Sequence, residues 1–95
     1  MSEKKPLEWS PRSKRNIESI RDYIATDNPR AAQAVINEIR STADNLRNFP
    51  LIGHEGRRAG TREIVVTKYP YTLIYRLTAK KIGVLAVVHQ SRIHL

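Results

Sequence analysis

The 95 residues, 40% of them apolar, are expected to form a single domain spanning 1–95 that buries roughly 60–65% of its unfolded surface in a modest core. With no cysteine, disulfides and thiolate metal sites are excluded; the amino-terminal MSEKKPLEWS lacks the apolar centre of a signal peptide, so a cytoplasmic location is expected. Seventeen Lys and Arg against nine Asp and Glu leave a net charge of +8, which favours nucleic acid, the ribosome or an acidic protein as partner over a merely solvated surface.

Leu7 to Trp9 reads as a short extended piece, expected at one edge of a sheet (7–9). Ser10-Pro11 then has the order of a helix start, a side-chain acceptor followed by a residue that lacks the N–H a first turn leaves orphaned. Ile17, Ile20 and Ile24 recur at helical spacing, with Tyr23 beside them. Asp27-Asn28-Pro29 repeats the punctuation. A second stripe follows in Ala32, Val35, Ile36, Ile39, Ala43 and Leu46, and Phe49-Pro50 is expected to stop it. So short a break implies an antiparallel helical hairpin over 11–49. Residues 51–60, LIGHEGRRAG, hold three of the four glycines and no periodicity, and read as a loop.

Beyond that loop the period becomes extended. Arg62 to Thr67, Tyr71 to Leu77 and Ile82 to His89 are β-branched or aromatic runs that predict an antiparallel meander over 61–90, with a tail at 91–95. Pro70 cannot donate to a ladder, so Tyr69-Pro70 is read as the corner between two strands, and an aromatic residue before proline raises the frequency of a cis bond there. The predicted class is α+β: an N-terminal short strand and a helical hairpin packed on a three- to four-stranded antiparallel sheet. Tyr71, Leu73, Tyr75 and Leu77 share one face of the middle strand; Thr72, Ile74 and Arg76 share the other. In the last strand Ile82, Val84, Ala86 and Val88 oppose Gly83, Leu85, Val87 and His89. Both faces are apolar, and a hairpin covers only one, so the other is expected to be an interaction surface bordered by arginines, whichever face it proves to be.

The residue types bear on chemistry unevenly. Three histidines without cysteines or paired carboxylates give no zinc pattern, and neither a phosphate-binding GxxxxGK[ST] loop nor GxGxxG occurs, so no cofactor and no metal are expected. Metal-free RNA cleavage needs a proton carrier and cations for the developing phosphorane charge. His89, with His94 behind it, can carry protons, and Arg62, Arg76 and Arg92 can match phosphate oxygens. Each has a plainer alternative: Arg76 paired with Glu63, His89 closing the last strand, Arg92 as a solvated tail charge. Tyr69, Tyr71 and Tyr75 suit base stacking or, for at least two of them, core and turn packing.

LEWSPRSKRNIESIRDYIATDNPRAA, NFPLIGHEGR, TREIVVTKYPYTLIYRL and VLAVVHQSR, in this order from Trp9 to Arg92, resemble the ParE-like toxins of the RelE/ParE superfamily of bacterial type II toxin–antitoxin systems. The resemblance implies a helical hairpin on an antiparallel sheet. It also implies a cognate antitoxin that wraps the toxin and often carries an amino-terminal DNA-binding dimer that represses the operon. RelE-like members cleave messenger RNA in the ribosomal A site; the ParE-like members studied inhibit DNA gyrase. The SP…DNPRAA…FPLIG pattern resembles the ParE branch, and HQSRIHL lacks the late tyrosine, or His-Tyr pair, of several ribosome-dependent nucleases. The resemblance thus implies gyrase as target, with a ribosome-dependent endoribonuclease as the alternative. Arg62, Arg76, His89 and Arg92 fall on recurrent motif positions and would be catalytic only in a nuclease. Arg62, Tyr71, Ile74, Arg76 and Arg92 are the residues expected to meet a partner protein.

Overall fold

A computed structural model describes residues 4–92. In chain order it contains β1 (Leu7–Trp9), α1 (Pro11–Ala25), α2 (Pro29–Asn45), β2 (His54–Glu55), β3 (Arg62–Val65), β4 (Tyr71–Leu77), β5 (Ile82–His89) and a closing 3-10 turn, Gln90–Arg92. The two helices lie on a five-stranded sheet of order β1-β5-β4-β3-β2. No helix among the described residues is long and apolar enough to cross a membrane.

Both helices start where their caps place them. The Ser10 side chain accepts the Ser13 amide at 3.0 Å with Pro11 in the first turn, and the Asn28 side chain accepts the Ala31 amide at 3.1 Å with Pro29 behind it. The stripe of α2 is the floor of the core: Ala32, Val35, Ile36, Ile39 and Ala43 are all buried. Val35, Ile36, Ile39 and Ala43 meet Ile17 of α1, Val66 just after β3 and, from the sheet, Tyr71, Leu73, Val84 and Val87. Leu46, Tyr75 and Ile82 form a second cluster beyond the end of α2. That helix ends at Asn45, four residues before Phe49-Pro50, because the chain tightens at Leu46, whose amide turns to the Ala43 carbonyl.

The sheet differs from the expected antiparallel meander in two places. β1 runs parallel to β5, with Leu7 opposite Ile82 and Trp9 opposite Val84, so the sheet is mixed. The cause is the hairpin, which takes the chain away after β1 and leaves β5 to arrive beside it in the same direction. The second is β2, where His54 and Glu55 pair with Glu63 and Arg62 inside the stretch read as a loop. Two residues carry no periodicity; the pairing is set by the return of the chain, closed by the Gly56 amide on the Thr61 carbonyl at 2.8 Å.

A bulge at Leu85 corrects the expected faces of β5. Ile74 pairs with Ala86 but Tyr75 with Val84, so Leu85 has no partner across the ladder. Val84 and Val87, read as opposed, therefore share the helix-facing side with Tyr71, Leu73 and Tyr75, while Ala86 and Val88 turn to the open face with Thr72, Ile74 and Arg76. The bulge lies where β1 ends, and α1 covers the edge beyond it. The Ser10 hydroxyl donates to the Leu85 carbonyl at 2.9 Å, and the Asn16 carbonyl oxygen accepts the Val87 amide at 3.0 Å. One serine thus caps a helix and satisfies a strand edge that would otherwise stay open.

The corner before β4 is made differently from the expectation. The peptide bonds are trans, and the reversal rests on Lys68, whose φ of 75° is left-handed. The Val66 amide then reaches the Tyr71 carbonyl at 2.9 Å, and the Pro70 carbonyl accepts from Gln90 at 2.8 Å.

Because Ser10 serves both a helix and the bulge, Ser10→Ala is expected to cost about 1–3 kcal/mol, whereas Asn28→Ala, at an exposed cap, costs about 1 kcal/mol. Urea unfolding of the two variants checks the order; equal losses would mean that the Leu85 contact contributes nothing.

Candidate partner-binding site

Among the described residues, the sequence-predicted Arg62, Arg76 and His89 do not gather at one place. Arg62 pairs across the sheet with Tyr75, and His89 pairs with Tyr71, four residues further back along β4. At the usual rise their backbones lie about 13 Å apart along the strands and two strand spacings, about 10 Å, across them. Arg76 is five residues from Tyr71 and on the opposite face. Each arginine is engaged with the chain itself. An Nη of Arg62 donates to the Leu51 carbonyl at 3.1 Å and, over a short contact, to the Gly53 carbonyl. Arg76 gives its Nε to the Gly60 carbonyl at 3.4 Å rather than pairing with Glu63, which accepts the Arg57 amide at 3.2 Å. His89 is exposed, edge-on to Tyr71 with ring centroids 5.5 Å apart, and its Nδ1 lies 2.8 Å from the Ser91 hydroxyl. The side chain of Arg92 and all of His94 lie outside the described residues.

The expected partner surface is likewise divided. Tyr71 packs in the core on the helix side, and Tyr75 is wholly buried, so neither ring is offered for base stacking. Ile74 and Arg76 do lie on the open face, with Val88 beside them and Val65 half-exposed. On that face Thr72 and Glu63 are buried in a shallow groove with His54, Arg57 and Gln90 along its walls.

A second surface was hidden in the segment read as a loop. Tyr75 is buried, yet its hydroxyl needs partners, and it finds them beyond α2. It donates to the Pro50 carbonyl at 2.8 Å and accepts the Gly53 amide at 3.1 Å. Gly53 is required there, since a Cβ would stand 2.7 Å from both that hydroxyl and the Glu63 carbonyl. With Arg62 holding the Leu51 and Gly53 carbonyls from the other side, residues 50–53 are fixed at four points. The side chains of Phe49, Leu51 and Ile52 are left 59%, 66% and 54% exposed. Next to them an open cleft of about 360 Å³ is lined by Leu51, Leu77, Arg58, Arg62, Glu55 and the 59–61 turn. The Arg62 Nε at this cleft is shielded from solvent and has no hydrogen-bond partner among the described residues. The signal in the sequence was FPLI, four apolar residues in a segment without periodicity; Phe49-Pro50 was read only as the end of a helix.

A family model described as "ParE toxin of type II toxin-antitoxin system, parDE" matches residues 7–94. The chain is 35% identical over 86 residues to Y4kP of Sinorhizobium fredii, covering 90% of this chain and 88% of the relative. It is 31% identical over 85 residues to the toxin RelE2 of Caulobacter vibrioides, covering 90% and 94%. Among solved structures, a chain of the chromosomal ParDE system from P. aeruginosa superposes with a TM-score of 0.82 at 20% identity, over 93% of this chain and 98% of that one, a likeness of fold.

Burial raises the pKa of Tyr71 above the ordinary tyrosine value of about 10, and the nearby Tyr23 phenol adds to the shift. The unfolded chain therefore ionises this phenol first. The stability it contributes is fully present below about pH 10 and is lost as pH rises beyond. Tyr71→Phe is expected to flatten the fall in unfolding free energy between about pH 9 and pH 11; an unchanged slope would place the alkaline sensitivity elsewhere.

Proposed function

The chain belongs to the ParE toxin family of type II toxin–antitoxin systems, and on that premise we propose that it arrests growth by binding DNA gyrase and is neutralised by a cognate antitoxin. The observation that carries the non-enzymatic reading is the separation of His89 from Arg62 and Arg76, the candidate catalytic groups whose side chains are described. Cleavage by 2′-hydroxyl attack requires a proton carrier and cations around one phosphate, within a few ångströms of the reacting atoms. Here His89 stands at one end of the sheet and Arg62 and Arg76 at the other, on opposite faces, each arginine bound to loop carbonyls. On this reading the role of Arg62 and Arg76 is architectural: their guanidinium groups reach carbonyls of the chain between α2 and β3.

The antitoxin follows from the family, since the systems to which such toxins belong are two-component. Ile74 and Arg76 on the open sheet face are the part of the expected partner surface that the fold leaves available, and we assign them to that contact. An acidic partner suits a chain of net charge +8. Ribosome-dependent cleavage is the second reading. A relative carrying the RelE2 name favours it, and it requires the ribosome to complete a site that the isolated chain lacks.

Toxin freed from its antitoxin, added to a gyrase supercoiling reaction and separately to translating ribosomes with a mapped message, distinguishes the two. Supercoiling is expected to stop while the message stays intact; codon-positioned cuts with normal gyrase would refute the proposal. His89→Ala is expected to keep toxicity within about threefold of the parent. A loss of 100-fold or so, the scale of a missing acid–base group, in a folded, antitoxin-binding variant would indicate proton transfer instead.

A further inference from the structure

We infer that the exposed apolar loop Phe49–Ile52 and the arginine-lined cleft beside it are an anchoring site for an acidic, amphipathic segment of the antitoxin, separate from the contact at Ile74 and Arg76. Three of the large hydrophobic side chains most exposed in the described structure fall within four consecutive residues. Such a cluster is unfavourable on a free monomer, and here the chain cannot fold it away. The Tyr75 hydroxyl and the Arg62 guanidinium fix the backbone at Pro50, Leu51 and Gly53, so the outward direction of Leu51 and Ile52 is built in. A rigid apolar platform costs a partner little ordering entropy.

The surroundings define the occupant. Arg58 and Arg62 line the cleft against one carboxylate, Glu55. An apolar anchor seated on Leu51, Ile52 and Leu77, flanked by Asp or Glu side chains, matches that distribution. Nucleic acid matches it less well. Its bases need aromatic faces, and of the rings nearby only Phe49 is exposed, since Tyr75 is buried. Lasting coverage also favours the antitoxin over a target met in passing, because stable interfaces are the more apolar ones. The inference rests on the family's antitoxin pairing and is independent of gyrase.

The test uses the toxin and the cognate antitoxin purified from the co-expressed pair. Leu51→Glu/Ile52→Glu is expected to weaken antitoxin binding by about 30-fold or more in calorimetry, as the loss of a central anchor does, and Arg58→Glu by about 5-fold with reduced salt dependence. In the unmodified complex, hydroxyl-radical labelling of Phe49 and Leu51 is expected to fall several-fold relative to free toxin. Affinity within threefold for the double variant, or equal labelling in both states, overturns the inference. So does loss of binding to a single-stranded RNA oligomer in these variants while antitoxin affinity holds, which would mark a nucleic-acid surface. Because the readout is antitoxin affinity, a toxin inactive against gyrase would refute gyrase as the target and leave this result standing.

Discussion

The buried hydroxyl of Tyr75 organises more of this molecule than any other single group. Its ring lies in the small cluster with Leu46 and Ile82, at the end of the sheet that α2 does not reach. A phenol in that position requires hydrogen-bond partners, because an unsatisfied buried hydroxyl costs about 1–3 kcal/mol. The chain leaving α2 supplies them with the Pro50 carbonyl and the Gly53 amide, and the need to pass so close to the ring explains a glycine at position 53. From that anchor the rest follows in sequence. The two residues of β2 come next, then the turn closed by Gly56 on Thr61, and then β3 with Arg62 positioned to grip the same loop from its other side.

Helices and strands were legible because they rest on local physics. Ser10-Pro11 and Asn28-Pro29 announce their caps, the α2 stripe repeats at helical spacing, and the ranges of β4 and β5 follow from their β-branched and aromatic runs. What the sequence concealed depends on contacts distant along the chain. The parallel pairing of β1 with β5 joins residues more than seventy positions apart. The Leu85 bulge arises where that pairing ends and Ser10 and Asn16 take over, and no apolar pattern signals it, since Ala86, Val87 and Val88 are all apolar. Arg62 and Arg76 illustrate the limit for function. Their residue type suits phosphate, but in the fold Arg62 turns to the Leu51 and Gly53 carbonyls and the Nε of Arg76 to the Gly60 carbonyl.

That occupation gives the family likeness a physical meaning. The family model that matches the chain carries the ParE name, and a relative 31% identical to it carries the RelE name. In this chain Arg62 holds the loop carbonyls, Arg76 touches the loop only through its Nε, and His89 lies at the other end of the sheet. What remains at the surface beside the loop is apolar area rimmed by Arg58 and Arg62. Rigidity of that loop suits the proposed antitoxin contact, which would meet a formed surface.

The central claim is therefore that the Phe49–Gly53 segment is pre-formed by the fold before any partner arrives. Amide hydrogen exchange of Gly53 in the free toxin tests it most directly, because that N–H donates to the Tyr75 hydroxyl and to nothing outside the chain. Protection comparable to the β4 amides, lost only on global unfolding, is the predicted result. Exchange at the rate of an unstructured glycine would contradict it and make the loop a segment that orders on binding.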